Sequence, residues 1–194
     1  MIKASSLLFL FYLLGSLSPA IIISKIFSLQ DPRLVGSKNA GTTNMLRNGN
    51  KKIALLVLLL DMLKGAVAIT IAKYLFPLNT TYILLSALLV TLGHIYPIFF
   101  NFHGGKGVAT FLGALLAISL ISGILFILCW LVIILSTRYS SLASLISVTV
   151  GCSSIYYFTH NIIIFVIFIL IVIKHKKNII RLLKKQESKL VLYI

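Results

Sequence analysis

Long apolar runs alternate along this chain with short polar ones, and the apolar runs are too unbroken to be the faces of soluble helices. They cover about Ser5–Phe27, Ile53–Phe76, Tyr82–Phe100, Val108–Leu135, Leu142–Phe158 and Ile162–Ile173. Apolar stretches of about 18 residues or more predict membrane-crossing helices. Ser18-Pro19-Ala20 has the small residues of a signal-peptidase site, but the apolar run continues past it, so the first run reads as a retained span. Composition agrees: 59% of the 194 residues are hydrophobic and 11% charged, with a mean hydropathy of +1.07. The expected class is an all-α, polytopic integral membrane protein forming a single domain over residues 1–194.

Charge then orders the spans. The net charge of +15 arises from 18 Lys and Arg against three acids, Asp31, Asp61 and Glu187. The basic residues cluster in the loop of about Ser28–Lys52 and in the tail from Lys174, both expected in the cytoplasm. The linkers at Pro77–Thr81 and Thr159–Asn161 carry no Lys or Arg and should lie outside. Lys106 and Arg138 also favour the inside, so the run between them must cross an even number of times. Its soft centre, Ser119–Gly123, suggests a hairpin of two helices of about 14 residues, each reaching only about 21 Å of a roughly 30 Å core. The total is about seven crossings, with the N-terminus outside, the C-terminus cytoplasmic and a short-helix hairpin near 108–136. Taking Val108–Leu135 as one helix gives six spans, and strands either the basic loop or the basic tail on the wrong side.

This topology gathers four polar patches on one membrane face. Asp31–Arg47 interleaves glycine with hydroxyls, amides and arginines, groups that bind phosphate oxygens. His103–Thr110 holds Gly104-Gly105-Lys106-Gly107, a turn suited to an anion. It is not a nucleotide P-loop, because Phe100 stands where that pattern needs glycine and Gly107 where it needs Ser or Thr. Thr137–Ser141 is a short turn between helices. In Lys174–Arg181, His175 and Asn178 stand three apart and share a helix face. Within the membrane, Asp61 and Lys64 are also three apart and are expected to pair, since a lone charge there is costly. His94 is expected either to orient the glycine turn or to bond a backbone carbonyl. Cys129 and Cys152 lie in apolar stretches as packing residues, and no Cys/His cluster suggests a metal site.

In this order the patches resemble one family, the bacterial acyl-phosphate glycerol-3-phosphate acyltransferases. The likeness runs from about residue 15 to 187. It comprises Gly15-Ser16 with Ser18; Asp31-Pro32-Arg33 through Gly36-Ser37, Asn39, Gly41, Thr43-Asn44 and Arg47; Asp61 with Lys64-Gly65; and Gly93-His94 with Pro97. Phe102 with Gly104 to Thr110 follows, then Ser141 to Ser144, and last Lys174-His175, Asn178-Ile179 and Arg181-Leu182-Leu183. Four positions depart from the family: Lys38 and Lys185 stand at usual glycines, Thr42 at a usual alanine and His103 at a frequent lysine.

The resemblance implies a seven-helix enzyme of the bacterial inner membrane with its active site facing the cytoplasm. Such an enzyme moves a fatty acyl group from acyl phosphate to the 1-hydroxyl of sn-glycerol 3-phosphate, yielding lysophosphatidic acid and inorganic phosphate. With the patches, it marks Lys106, His175, Ser37 and Asn178 as catalytic. It marks Arg47, Asn39, Asn44, Gly104, Gly105, Gly107, Ser141 and Arg181 as substrate-binding. The expected partners are acyl phosphate, glycerol 3-phosphate and membrane lipids, with no cofactor, metal, nucleic acid or obligate protein partner. No histidine has an aspartate four residues later and there is no Gly-x-Ser-x-Gly elbow, so direct transfer without an acyl-enzyme is expected. A transporter of a phosphorylated solute is the main alternative. It would need polar groups on both sides of a midplane site, whereas the motifs here crowd one face. A lipid-binding scaffold built on the basic tail leaves the glycine-lysine turn without a role.

Overall fold

A computed structural model describes residues 4–48 and 51–190. The termini of the expected domain and residues 49–50 of the expected basic loop lie outside the described residues. The described residues are helical and carry no strand. In chain order the helices are α1 (Ala4–Ser16), α2 (Pro19–Ile26), α3 (Thr42–Arg47), α4 (Lys51–Leu75), α5 (Thr80–Ile95), α6 (Val108–Ile118), α7 (Leu120–Thr137), α8 (Ser140–Thr159), α9 (Ile163–Lys174) and α10 (Lys176–Leu183). A 3-10 turn, Ile98–Phe100, follows α5. Leu59, Leu63, Leu128, Val132, Leu135 and Ile169 are all exposed on the outer surface. So broad an apolar girdle is what lipid covers.

Among the described residues, four helical stretches are long and apolar enough to cross a bilayer: Lys51–Leu75, Thr80–Phe100, Leu120–Thr137 and Ser140–Thr159. The pair α1 and α2, bent by 45°, makes a fifth if taken as one span. The bend has a local cause. Pro19 lacks an N–H, so the Gly15 carbonyl four residues earlier has no helical partner. Lys64 on α4 supplies one: its Nζ donates to Gly15 O at 2.9 Å and to Leu17 O at 2.7 Å. Its ion pair with Asp61 closes at 2.8 Å within α4.

The expected hairpin exists but is lopsided. The run from Val108 breaks at Ser119, giving helices of 11 and 18 residues instead of two equal halves. Ser119 is extended and its hydroxyl caps α7 by accepting from Ser122 N at 3.3 Å. Ser122 Oγ also bonds Ser154 Oγ on α8 at 2.8 Å. These hydroxyl contacts favour the first residue of the soft stretch over its middle. Gly123 packs on the backbone of Leu116, which a straight helix would hold about 10 Å away, so the chain folds back. At about 16 Å, α6 covers only half of a roughly 30 Å core. It is held close to α4 because Gly65 faces the Thr110 carbonyl and Gly113 the Met62 carbonyl, where a Cβ would collide. Phe111 and Phe126 meet edge to face behind it, in the main core.

Candidate active site

The loop between α2 and α4 is folded by its own polar residues. Asn44 is its brace: Oδ1 accepts from Ser37 N at 2.8 Å, while Nδ2 donates to Pro32 O at 2.8 Å and Val35 O at 3.1 Å. The Arg33 guanidinium grips Asp31, with Nη2–Oδ2 at 2.6 Å, and reaches Phe100 O at 3.3 Å, joining this loop to the turn after α5. Those hydrogen bonds hold the Asp31 carboxyl below its usual range. Gly36 and Lys38 are left-handed, at φ of 58° and 56°.

The second loop carries Lys106. Asn101 and Phe102 are left-handed, and Gly107 has a φ of 87°. The expected cradle of N–H groups is only partly there. Gly105 N already donates to His94 O at 3.1 Å, and Gly104 packs against the same carbonyl. Of the three expected substrate-binding glycines, Gly107 alone lines the cavity. Gly104 and Gly105 are glycines because the loop lies directly on the end of α5.

Lys106, Asn178, Glu187, Ser141 and Arg181 form one chain of contacts. Lys106 Nζ donates to Asn178 Oδ1 at 2.6 Å, and Asn178 Nδ2 donates to Glu187 Oε1 at 2.6 Å. Ser141 Oγ donates to the same oxygen at 2.9 Å, and Arg181 Nε to Oε2 at 2.6 Å. Burial pulls the Lys106 ammonium down to about 8, against the opposing pull of Glu187, so it still carries its charge at neutral pH. Burial alone would raise Glu187, but the bonds from Arg181, Asn178 and Ser141 hold it below the usual carboxylate range.

His175 occupies the break between α9 and α10. Its Nδ1–H donates to Ile171 O at 2.8 Å, because a carbonyl can only accept. Burial, then the Lys106 charge, push the imidazole down to about 4. The ring is therefore neutral, with Nε2 able to accept a proton or a hydrogen bond.

These residues surround a cavity of about 530 Å³. Ser37, Asn39, Arg47, Lys106, Ser141, His175 and Asn178 line its polar end. Arg47 Nη2 donates to Ser188 O at 2.8 Å, while its buried Nε has no partner. Asn44 also reaches the wall with its side chain committed to the loop, and Arg181 acts on the cavity through Glu187. The other end is apolar: Leu55, Leu58 and Met62 of α4 face Ile127, Trp130 and Leu131 of α7, with Leu112 of α6 between them. Short α6 leaves a slot there, and its lips Leu55 and Leu131 are exposed to the bilayer side. One cavity thus combines fixed cations, a neutral imidazole and an apolar arm. It suits a molecule with an anionic head and a hydrocarbon tail.

Sequence reasoning missed Glu187 and the strap behind it. Leu190 N donates to Arg138 O at 2.7 Å, Leu190 is buried against Ile134 and Ala143, and Lys189 lies over the Tyr139 ring. The available signal was scarcity, since Glu187 is one of only three acids. No group of three or more His, Cys, Asp or Glu able to hold a metal occurs among the described residues.

The chain has close counterparts among known proteins. The glycerol-3-phosphate acyltransferase family matches residues 5–185. A protein of that name from Francisella tularensis subsp. holarctica is 47% identical over 189 residues, covering 95% of this chain and 92% of that protein. Another from Ruthia magnifica subsp. Calyptogena magnifica is 48% identical over 190 residues, covering 95% of each. The crystal structure of PlsY (YgiH), an integral membrane glycerol 3-phosphate acyltransferase, in its glycerol 3-phosphate form superposes with a TM-score of 0.92 at 38% identity, covering 97% of this chain and 96% of that one. Its lysophosphatidic acid form gives 0.90 at 36% identity, with the same coverage.

Proposed function

The chain belongs to the glycerol-3-phosphate acyltransferase family, and from that premise we propose that it acylates the 1-hydroxyl of glycerol 3-phosphate using acyl phosphate as donor. The observation that carries this reading is the two-ended cavity, with Lys106 and Arg47 at one end and the α4–α6–α7 slot at the other. The acyl chain lies in the slot. Both phosphates, that of the donor and that of the acceptor, lie at the cationic end.

The glycerol hydroxyl attacks the acyl carbonyl carbon, forming the new ester C–O bond. The bond from that carbon to the phosphate oxygen breaks, and phosphate leaves with the electron pair. Lys106 meets the growing negative charge, and Arg47 Nε adds an unengaged donor nearby. His175 Nε2 accepts from the hydroxyl and holds it in line. The proton passes finally to the departing phosphate, which is basic enough to keep it. An acyl phosphate is a mixed anhydride and already activated, so no acyl-enzyme is needed. Ser37, Asn39 and Ser141 complete the polar wall.

The same reading has seven crossings in a bacterial inner membrane. The N-terminus lies outside, and the C-terminus and cavity face the cytoplasm. The bent α1–α2 pair, α4, α5, α6, α7, α8 and α9 are the spans. Cysteine labelling from outside should reach the Pro77–Thr81 linker and not Ser37; labelling at Ser37 would overturn this orientation. The chemistry is tested with purified protein, palmitoyl phosphate and labelled glycerol 3-phosphate. Lysophosphatidic acid and one phosphate should appear, and palmitoyl-CoA should give no product. Turnover with the thioester alone would refute the choice of donor.

A further inference from the structure

Beside the chain of contacts around Lys106 lies a second buried polar cluster, Asp61, Lys64 and His94, whose side chains are 1%, 5% and 5% exposed and of which Asp61 and His94 reach the wall of the same cavity. Its protons can be assigned by counting. Lys64 has three, and three oxygens lie within reach: Asp61 Oδ1 at 2.8 Å, Gly15 O at 2.9 Å and Leu17 O at 2.7 Å. No Lys64 proton is left for His94 Nδ1, although the two nitrogens are 3.0 Å apart. His94 Nδ1 must then carry its own hydrogen and donate to Asp61 Oδ1, also at 3.0 Å. That bond fixes the plane of the ring.

The far edge of the ring points at the loop that carries Lys106. A Cβ on Gly105 would collide with His94 Nε2 and stand 2.8 Å from Cε1. The same Cβ would stand 2.9 Å from the carbonyl of Ala40, a fully buried residue of the first loop. Gly105 is therefore packed closely against both the imidazole and the loop that bears Ser37, Asn39 and Arg47. The same turn of α5 supplies the rest of the bed. His94 O accepts from Gly105 N at 3.1 Å, and Thr91 and Ile95 lie beneath Gly107. Lys106 is the residue between those two glycines.

We propose that His94 is a positioning residue: braced by Asp61, its ring sets the spacing of the two substrate loops through Gly105 and so aims Lys106 at the phosphate. It touches no reacting atom. Lys64 is tied to the α1 break and contributes no charge to the substrate. The proposal rests on the acyltransferase reading, in that glycerol 3-phosphate is the ligand whose affinity reports on Lys106.

A binding cycle tests it, using detergent-purified full chain and glycerol 3-phosphate as the probe. His94→Asn keeps a donor near the Nδ1 position and loses the ring edge. It should weaken binding about tenfold in the wild-type background and less than about twofold in a Lys106→Ala background. Gly105→Ala leaves His94 intact and pushes on the ring from the other side, so it should show the same coupling even if His94→Asn folds poorly. Wild-type affinity in both variants would overturn the proposal. Equal losses with and without Lys106 would also overturn it, because the cluster would then support the fold as a whole. Absence of binding by the wild-type protein would instead refute the functional reading.

Discussion

Two buried clusters in this protein have similar ingredients and opposite states. Asp61, Lys64 and His94 combine a carboxylate, a lysine and a histidine inside the bundle, where Asp61 and His94 reach the inner wall of the cavity. Glu187, Lys106 and His175 combine the same three types at the cavity wall. In the first, each Lys64 proton meets an oxygen and the His94 donor meets Asp61. In the second, Asn178 stands between the lysine and the carboxylate, Lys106 has a single hydrogen bond among the described residues, and His175 lines the cavity with only its Nδ1 engaged there. Saturation, more than residue type or burial, separates the cluster that holds the helices from the one proposed to handle substrate.

The sharpest way to break this contrast is Lys64→Met. It leaves Asp61 buried without a cation, a change that typically costs about 3–5 kcal/mol. Thermal unfolding in detergent should collapse accordingly, and Asp61→Leu combined with Lys64→Met should recover much of the loss. Survival of Lys64→Met at the wild-type melting temperature would mean that the inner cluster is not a structural tie.

Lys106→Ala should do the reverse. Removing a preorganised donor costs about 10²–10³ in rate, so turnover should fall at least that far while the melting temperature hardly moves. The pH profile adds a signature. Lys106 loses its proton as pH rises through about 8, so activity should decline on the alkaline side there. That limb should be absent from the residual activity of the alanine variant.

His175 comes next. Its imidazole is depressed to about 4, so it is already neutral at pH 5 and no acidic limb near 6–7 should come from it. As a positioning acceptor, His175→Gln should retain more activity than His175→Ala. Equal, near-complete loss in both, within the 10²–10⁴-fold range of a general base, would assign it the proton transfer instead.

Much of this arrangement could be read from the chain because it is written in local patterns. The apolar runs marked the helices, and Lys106, His175, Asn178, Ser37, Asn39, Arg47 and Ser141 do gather at one cavity. What escaped was pairing across distance. Nothing near Glu187 announces that it will receive Ser141 and Asn178, and nothing near Asp61 points to a histidine 33 residues on. The glycine turn misled for the same reason. Glycines that admit a ligand and glycines that admit the end of α5 look identical in one dimension, and only the neighbours of Gly104 and Gly105 tell them apart.

The departures Lys38 and Lys185 give the smallest effect and the clearest geometry. The resemblance implies a usual glycine at each, and both adopt left-handed backbone, at φ of 56° and 55°. Lys185 ends α10, with Gln186 N returning to Arg181 O at 2.7 Å, a helix stop that glycine serves best. Lys185→Gly and Lys38→Gly should each stabilise the protein by about 1 kcal/mol, the penalty of the left-handed region for a side chain. A fall in melting temperature would show that these lysines have contacts outweighing that strain.

The strap from Glu187 to Leu190 also orders events in time. It follows every apolar helix in the chain, yet it supplies the carboxylate that holds Asn178 and the carbonyl that holds Arg47. During synthesis, the helices can enter the bilayer with Lys106 and His175 in place while the pocket is still unfinished. Catalytic competence should then arrive abruptly, when the strap leaves the ribosome and docks on Arg138, and not gradually with each inserted helix.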